Sequence, residues 1–267
     1  MSIFKEAVFK MLRGKKALIT GLANKNSIAT AIAQSLTKNG ASVGISYFHD
    51  SNTKRVVPLA KEMEAKFVVK TDITSDSELD QLSQTVKDEF GTFDFLVHSI
   101  AFADARELTC RFHQTSREGF RKCLDISSYS LIALSQKLRS MINRDGSIIG
   151  MTYMGADKVL QGYGVMGVAK AALQASARYL ADDLGQEGIR VNTISAGPVK
   201  TLAAFGIPSF SDFLQQVEDY SPLRRNIDQD DVASAALYLC SEHSRSVTGQ
   251  NIFVDSGISI IKQSKLS

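Results

Sequence analysis

Two tyrosines and a lysine within residues 151–170, MTYMGADKVLQGYGVMGVAK, are of types and spacing that could do proton and oxyanion chemistry. Tyr153 precedes Tyr163 by ten residues, and Lys170 follows Tyr163 by seven. From Tyr163 onward the segment YGVMGVAKAALQASARYLADDL is rich in Ala and Leu with an apolar stripe, which predicts a long helix. Seven residues is about two turns, so Tyr163 and Lys170 share one face. Helical side chains lean toward the N-terminus, which directs Lys170 back toward the Tyr163 phenol. An ammonium near a phenol favours the phenolate and makes the phenol a better proton donor or oxyanion stabiliser. Tyr153 falls just after the apolar run SIIGM, where a strand would end, within reach of the same pocket. The same spacing also suits a half-buried tyrosine and a solvated lysine on an ordinary amphipathic helix. The choice therefore turns on the elements that would position these residues.

Those elements alternate between strand and helix along the chain. Lys16–Thr20 (KALIT) reads as a buried strand, followed by the small-residue turn GLANKNSIA and a helix starting near Ser27. Strand, glycine turn and helix open a dinucleotide-binding unit, with helix amides for the pyrophosphate and Ser27 as hydroxyl and cap. The usual G-x-G-x-x-G is absent; Gly21 is the turn's one glycine, with Ala23 and Ala29 as small stand-ins. Alone, this also fits a generic strand-to-helix turn. A second strand, 41–47, ends at Phe48, His49 and Asp50, with Lys54 and Arg55 beyond. An acid at such a tip suits NAD and a basic residue suits NADP, so Phe48 leaves the coenzyme choice open.

After strand 66–70, Asp72-Ile73 could meet an adenine amino group, or Asp72 could cap the next helix. Strand 93–97 leads into His98-Ser99-Ile100-Ala101-Phe102-Ala103, whose small residues admit a flat ring; His98 reads as structural. A helical region at about 116–141 precedes strand 147–152, the Tyr/Lys stretch and strand 189–195. Gly197-Pro198 then forces a turn, and Thr201 can donate to a cofactor amide or phosphate. Residues 202–219 read as an apolar helical lid over the substrate, and helix 230–240 and strand 251–255 close the chain. The pattern predicts one doubly wound Rossmann-type α/β domain over 1–267, with a mainly parallel seven-stranded sheet.

Composition narrows the function class. The chain has 267 residues, 44% hydrophobic, with a formal charge of +3 spread without a Lys/Arg block, which argues against nucleic-acid or membrane binding. Three separated cysteines and four histidines show neither disulfide nor metal spacing. Without a signal-type apolar core or a span of membrane length, the expectation is a cytoplasmic protein with no metal.

The motifs together resemble the short-chain dehydrogenase/reductase superfamily, and within it the bacterial NAD(P)H-dependent enoyl-acyl-carrier-protein reductases. The resemblance rests on GLANKNSIA, VHSIAFA, MTYMGADKVLQGYGVMGVAKAAL, RVNTISAGPVKTLAAFGI and NIFVDSG, in order from about Gly14 onward. Ordinary members of the superfamily carry Tyr-x3-Lys; here Gly167 stands at that position and the spacing is Tyr-x6-Lys with the extra Tyr153. The resemblance implies that Tyr163 binds the thioester carbonyl and Lys170 the nicotinamide ribose, with Tyr153 also in the active site. It implies that Gly21, Ser27 and Ile28 meet the pyrophosphate, Phe48 the adenosine, and Asp72 and Ile73 the adenine. Ser99, Ile100, Val199, Lys200, Thr201, Leu202 and Ala203 would flank the nicotinamide and phosphates, and Ala103 and Phe210 the acyl chain. It further implies NADH as the coenzyme, with NADPH as the alternative, acyl carrier protein as partner and a homotetramer. The rival readings are a ketoacyl or alcohol reductase of the same superfamily and a non-catalytic dinucleotide-binding protein. The lid segment lacks Lys and Arg from 201 to 223, so docking of an acidic carrier is expected on other basic residues, with Arg224 and Arg225 as candidates.

Overall fold

Apolar runs at seven places give seven strands in the computed structural model, which describes residues 10–201, 204 and 210–261. They are β1 (Lys16–Thr20), β2 (Ser42–Tyr47), β3 (Phe67–Lys70), β4 (Phe93–His98), β5 (Ile142–Tyr153), β6 (Arg190–Ala196) and β7 (Asn251–Val254). All pair in parallel in one sheet of order β3-β2-β1-β4-β5-β6-β7. The chain builds outward from β1 in one direction and from β4 in the other. The loops leaving β1 and β4 therefore part at the C-terminal edge, which is where a ligand crevice forms in such sheets.

The helices between them are α1 (Ile28–Lys38), α2 (Asp50–Glu62), α3 (Asp76–Phe90), α4 (Ala105–Thr109), α5 (Arg117–Leu124), α6 (Ser130–Leu138), α7 (Gly164–Gly185), α8 (Phe210–Tyr220) and α9 (Gln229–Cys240). Successive strand residues point to opposite faces, and here both faces are covered. Ile19, Val97 and Ile149 pack on one face with Ile32, Leu36, Val56 and Val232 of α1, α2 and α9. Their neighbours Leu18, Leu96 and Ile148 pack on the other with Leu82, Leu134 and Leu173 of α3, α6 and α7. Each such side chain, fully removed from water, contributes about 1.5–3 kcal/mol. The continuous apolar strands of the sequence follow from this two-sided burial.

Two elements differ from the expectation. β5 starts at Ile142, earlier than the apolar run, because Ile142 pairs with Phe93 before a register shift restores Ser147 opposite Phe95. The polar bulge residues between them hide this strand start in the sequence. The helical region 116–141 is divided by a π-helical turn, Asp125–Tyr129, between α5 and α6. The wider turn sets Ser127 against the loop after β4: its Oγ accepts from Phe102 N at 2.9 Å and donates to Phe102 O at 3.1 Å. Ser127→Ala would leave both groups without that partner and is expected to lower stability by about 1–3 kcal/mol in urea titration. An unchanged midpoint would show that the loop is held by other contacts.

Candidate active site

β5 delivers Tyr153 as its last residue, and the chain returns through a 3-10 turn, Met154–Ala156, to Tyr163 immediately before α7. The two rings stand 5.0 Å apart at 58°, and Phe213 of α8 meets Tyr153 edge-on at 6.2 Å. Tyr163 is buried with Cys123, Val165, Met166 and Ala169, beside the partly buried Ala103, Leu108 and Leu160. The lid expectation lies outside the described residues at 202, 203 and 205–209; its remainder forms α8, where Phe210 and Val217 are buried.

The spacing of tyrosine and lysine has a steric cause. A Cβ on Gly155 would lie 2.3 Å from Tyr163 Cδ1, and one on Gly167 would lie 2.7 Å from Gly155 O. The position four residues after Tyr163 is therefore pressed against backbone, and a side chain there would displace the turn that seats the Tyr163 ring. The cation comes instead from Lys170, nearly one helical turn further on. Gly155 is a site residue that residue-type reasoning passed over.

Lys170 does not bond to the Tyr163 phenol, contrary to the expectation from helix geometry. Its Nζ donates to Met151 O at 2.8 Å and to Ile100 O at 3.1 Å. Tyr163 stands at the N-cap rather than inside the helix, and two carbonyls, of Met151 near the end of β5 and Ile100 in the loop after β4, attract the ammonium more strongly than one phenol. Burial lowers the Lys170 pKa to about 8. Burial raises the Tyr163 phenol well above its ordinary range, with Tyr153 and Cys123 adding to the shift, and burial likewise raises Tyr153. Both phenols are thus neutral hydrogen-bond donors at physiological pH, and the expected drift toward phenolate is absent. His98, expected to be structural, is buried with its Nε2 2.6 Å from Ser130 Oγ, which itself donates to Ile126 O. Ser130 therefore accepts from Nε2–H. Burial, then the Lys170 charge, lowers the His98 pKa to about 3, so the ring is neutral.

A crevice at the switch point is lined by Gly21, Phe48, Asp72, Ile73, Ser99 and Ile100. Gly21 has φ +83°, and a Cβ there would lie 2.1 Å from Ser99 O, so the loops after β1 and β4 meet only because this residue is glycine. The missing glycine fingerprint is replaced by hydrogen bonds. Asn24 Oδ1 accepts from Asn26 N, and Asn24 O accepts from Ser27 Oγ and Thr30 Oγ1. Ser27 is the N-cap of α1 by position, but its hydroxyl turns back to Asn24 rather than capping. Ile28 opens the helix with its side chain against the core. Asp72 Oδ1 accepts from Thr74 N and Oγ1, while Ser75 caps α3, so the capping alternative for Asp72 does not hold.

After β6, Val199 is buried and Lys200 exposed, and Thr201 Oγ1 accepts from Ala204 N. Leu202 and Ala203 lie outside the described residues. Gln229 at the start of α9 donates to both Asn26 O, 203 residues away, and Lys200 O, tying the β1 and β6 loops together. No sequence motif marked it, because an exposed Gln opening a helix carries no local signal. A glycine-closed crevice beside a helix N-terminus, ending at a buried ammonium, suits an extended dinucleotide.

Sheet order, crevice and the Tyr153–Tyr163–Lys170 group together define the short-chain dehydrogenase/reductase class. Residues 21–259 match the model of the enoyl-(acyl carrier protein) reductase family. The chain is 48% identical over 256 residues to the NADH-dependent enoyl-(acyl carrier protein) reductase of Rickettsia prowazekii, covering 96% of this chain and 98% of that one. It is 43% identical to the corresponding Bacillus cereus enzyme, over 94% and 99% of the two chains. The Bacillus cereus reductase solved with NADP+ and indole naphthyridinone superposes with a TM-score of 0.93 at 42% identity, covering 95% of this chain and all of that one. The reductase of Anaplasma phagocytophilum, solved with NAD, gives 0.90 at 40% identity over 96% of each chain. This chain belongs to the enoyl-(acyl carrier protein) reductase family.

Gly155→Ala tests the steric account. Displacing the Tyr163 ring by about 1 Å is expected to lower kcat with an enoyl thioester about 10²-fold, with coenzyme Kd unchanged. Wild-type kcat in the variant would show that the ring position does not depend on this contact.

Proposed function

We propose that the chain reduces the trans-2 double bond of enoyl thioesters carried on acyl carrier protein, giving the saturated thioester in the last reductive step of fatty-acid elongation. The observation that carries this reading is the pair of neutral phenols beside a carbonyl-bound Lys170, with Gly167 excluding the ordinary lysine position. The dinucleotide, when bound, supplies the hydride to the β-carbon. Tyr163 donates its hydroxyl proton in a hydrogen bond to the thioester carbonyl oxygen, where the enolate charge develops, and uptake of a proton from water at the α-carbon completes the saturated thioester. Tyr153, packed between Tyr163 and Phe213, shapes the acyl side of the pocket with Ala103 and Phe210.

Two of the three Lys170 N–H groups are held by Met151 and Ile100, and the third is assigned to the nicotinamide ribose hydroxyls. Gly21, Ser27 and Ile28 serve the pyrophosphate; Asp72 and Ile73 serve the adenine. Ser99 and Ile100, with Val199 to Ala203, serve the nicotinamide side. Phe48 presents an exposed ring with His49 tilted against it at 4.0 Å, and the strand tip carries neither an acid nor an arginine; the NADH-dependent relatives support NADH over NADPH.

The reading includes a single reductase domain over 1–267, a lid over 202–219, a cytoplasmic location and a homotetramer. Three unpaired cysteines support a reducing compartment, and among the described residues no helix is long and apolar enough to cross a membrane. Tyr129 at the end of the π turn, Ile132 on α6 and Tyr179 on α7 are exposed and support an assembly interface.

Loss of reduced-nicotinamide absorbance with a crotonyl thioester, run with NADH and NADPH, tests the activity. Turnover favouring NADH and collapsing in Tyr163→Phe is expected; turnover of a ketoacyl thioester instead would overturn the assignment. Lys170 gives a pH test. It is charged below about pH 8 and neutral above, so NADH affinity is expected to fall as pH rises past about 8. The slope would approach tenfold per pH unit until the bound-state pKa is reached. A Lys170→Met profile should be flat, and a flat wild-type profile would remove Lys170 from coenzyme binding.

A further inference from the structure

The mouth of the Tyr163 pocket has two walls of unlike charge. One is α8, which places Phe213 on Tyr153 and carries the acids Asp212, Glu218 and Asp219 without a Lys or Arg between 201 and 223. An acidic macromolecule is repelled from that side. Of the two basic residues just beyond it, Arg225 is already committed, donating to both carboxylate oxygens of Asp231 at 2.7 and 2.9 Å.

The other wall is the segment from α4 to the start of α5. Its inner side reaches Tyr163 through Leu108. A Cβ on Gly164, the residue after Tyr163, would lie 3.5 Å from Glu107 O and 4.0 Å from Phe112 Cδ2. The Phe112 ring therefore stands directly beside the mouth, and it is 56% exposed. Around it, Arg111 and Arg117 are exposed, and neither forms an ion pair among the described residues. The nearby acids are occupied. Asp104 holds Lys122 at 3.0 Å, and Glu118 holds Arg121 at 2.7 Å. Glu107 turns inward, accepting from Ser116 N at 3.0 Å and Ser116 Oγ at 2.7 Å, where it fixes the wall to the N-terminus of α5.

We propose that an acidic carrier protein docks on this outer face, with Arg111 and Arg117 meeting its carboxylates and Phe112 at the centre of the contact. The proposal rests on the enoyl-thioester reading and replaces the expectation that Arg224 and Arg225 form the docking site. Attraction to the arginines of one wall and repulsion from the other set the direction from which the thioester arm enters.

The test compares crotonyl-acyl carrier protein with crotonyl-N-acetylcysteamine, an uncharged thioester, on the R111E/R117E enzyme. The KM for the carrier-protein substrate should rise about tenfold and lose most of its dependence on salt. The kcat/KM for the uncharged thioester should remain that of wild type. An unchanged carrier-protein KM overturns the proposal, as does an equal loss on both substrates, which would mean a distorted site. A rise in R224E/R225E with none in R111E/R117E would return docking to the α8 side. Failure of the wild-type enzyme on both thioesters would instead defeat the underlying assignment.

Discussion

The Lys170 ammonium sits between the carbonyls of Met151 and Ile100, buried at the C-terminal edge of the sheet. Removing an ammonium from water costs several kcal/mol, and two charge-assisted hydrogen bonds of about 1.5–3 kcal/mol each offset much of it. The residual penalty shows in the pKa, lowered to about 8 from 10.5. Between those two values the unfolded chain binds more protons than the folded one, so the penalty is full below about pH 8 and is relieved as pH rises toward 10.5. The fold accepts this cost because the same two bonds staple the loop after β4 to the end of β5. The loop after β4 lines the crevice, and the same charge helps keep His98 neutral.

Space around Tyr163 is settled by glycine rather than by charge. Gly155 lies against the ring and Gly167 against Gly155, so backbone approaches backbone where most helices would carry side chains. One consequence is a phenol deep enough to stay protonated; another is that the cation must come from a later turn of α7. Tyr-x6-Lys is thus the sequence trace of a close contact between the loop after β5 and the helix that follows it.

Most of the sheet was legible because two-sided burial writes strands as uninterrupted apolar runs; β1 was read to the residue, and β2, β4 and β6 to within one. The start of β5 was not, since the polar residues of its bulge break the run. The π turn was not, because Ile126–Tyr129 has the composition of an ordinary helix and only the partner at Phe102 shows why it widens. Residue types pointed to Tyr153, Tyr163 and Lys170, which the structure brings together, and to Gly21 and Asp72, which line the crevice. What they could not give was the destination of each polar group. Lys170 found carbonyls from distant strands, the Ser27 hydroxyl turned to Asn24, and Gln229 joined loops that no local pattern relates.

With both phenols held neutral and His98 unprotonated, formal charge near the reacting centre resides in Lys170 alone among the groups described there. That separates two tasks. In the reaction proposed above, the phenol stabilises developing negative charge by hydrogen bonding, where a neutral donor in a buried pocket acts without the cost of reorganising water. The ammonium acts one step removed, on the crevice where an anionic dinucleotide fits. Its field falls on the coenzyme side of the pocket, while the opposite side, lined by Ala103, Leu160 and Phe213, stays apolar. In the proposed reaction a single pocket can therefore serve a charged coenzyme and an uncharged acyl chain in contact with one another, because the Lys170 cation is fixed to backbone on one side of it.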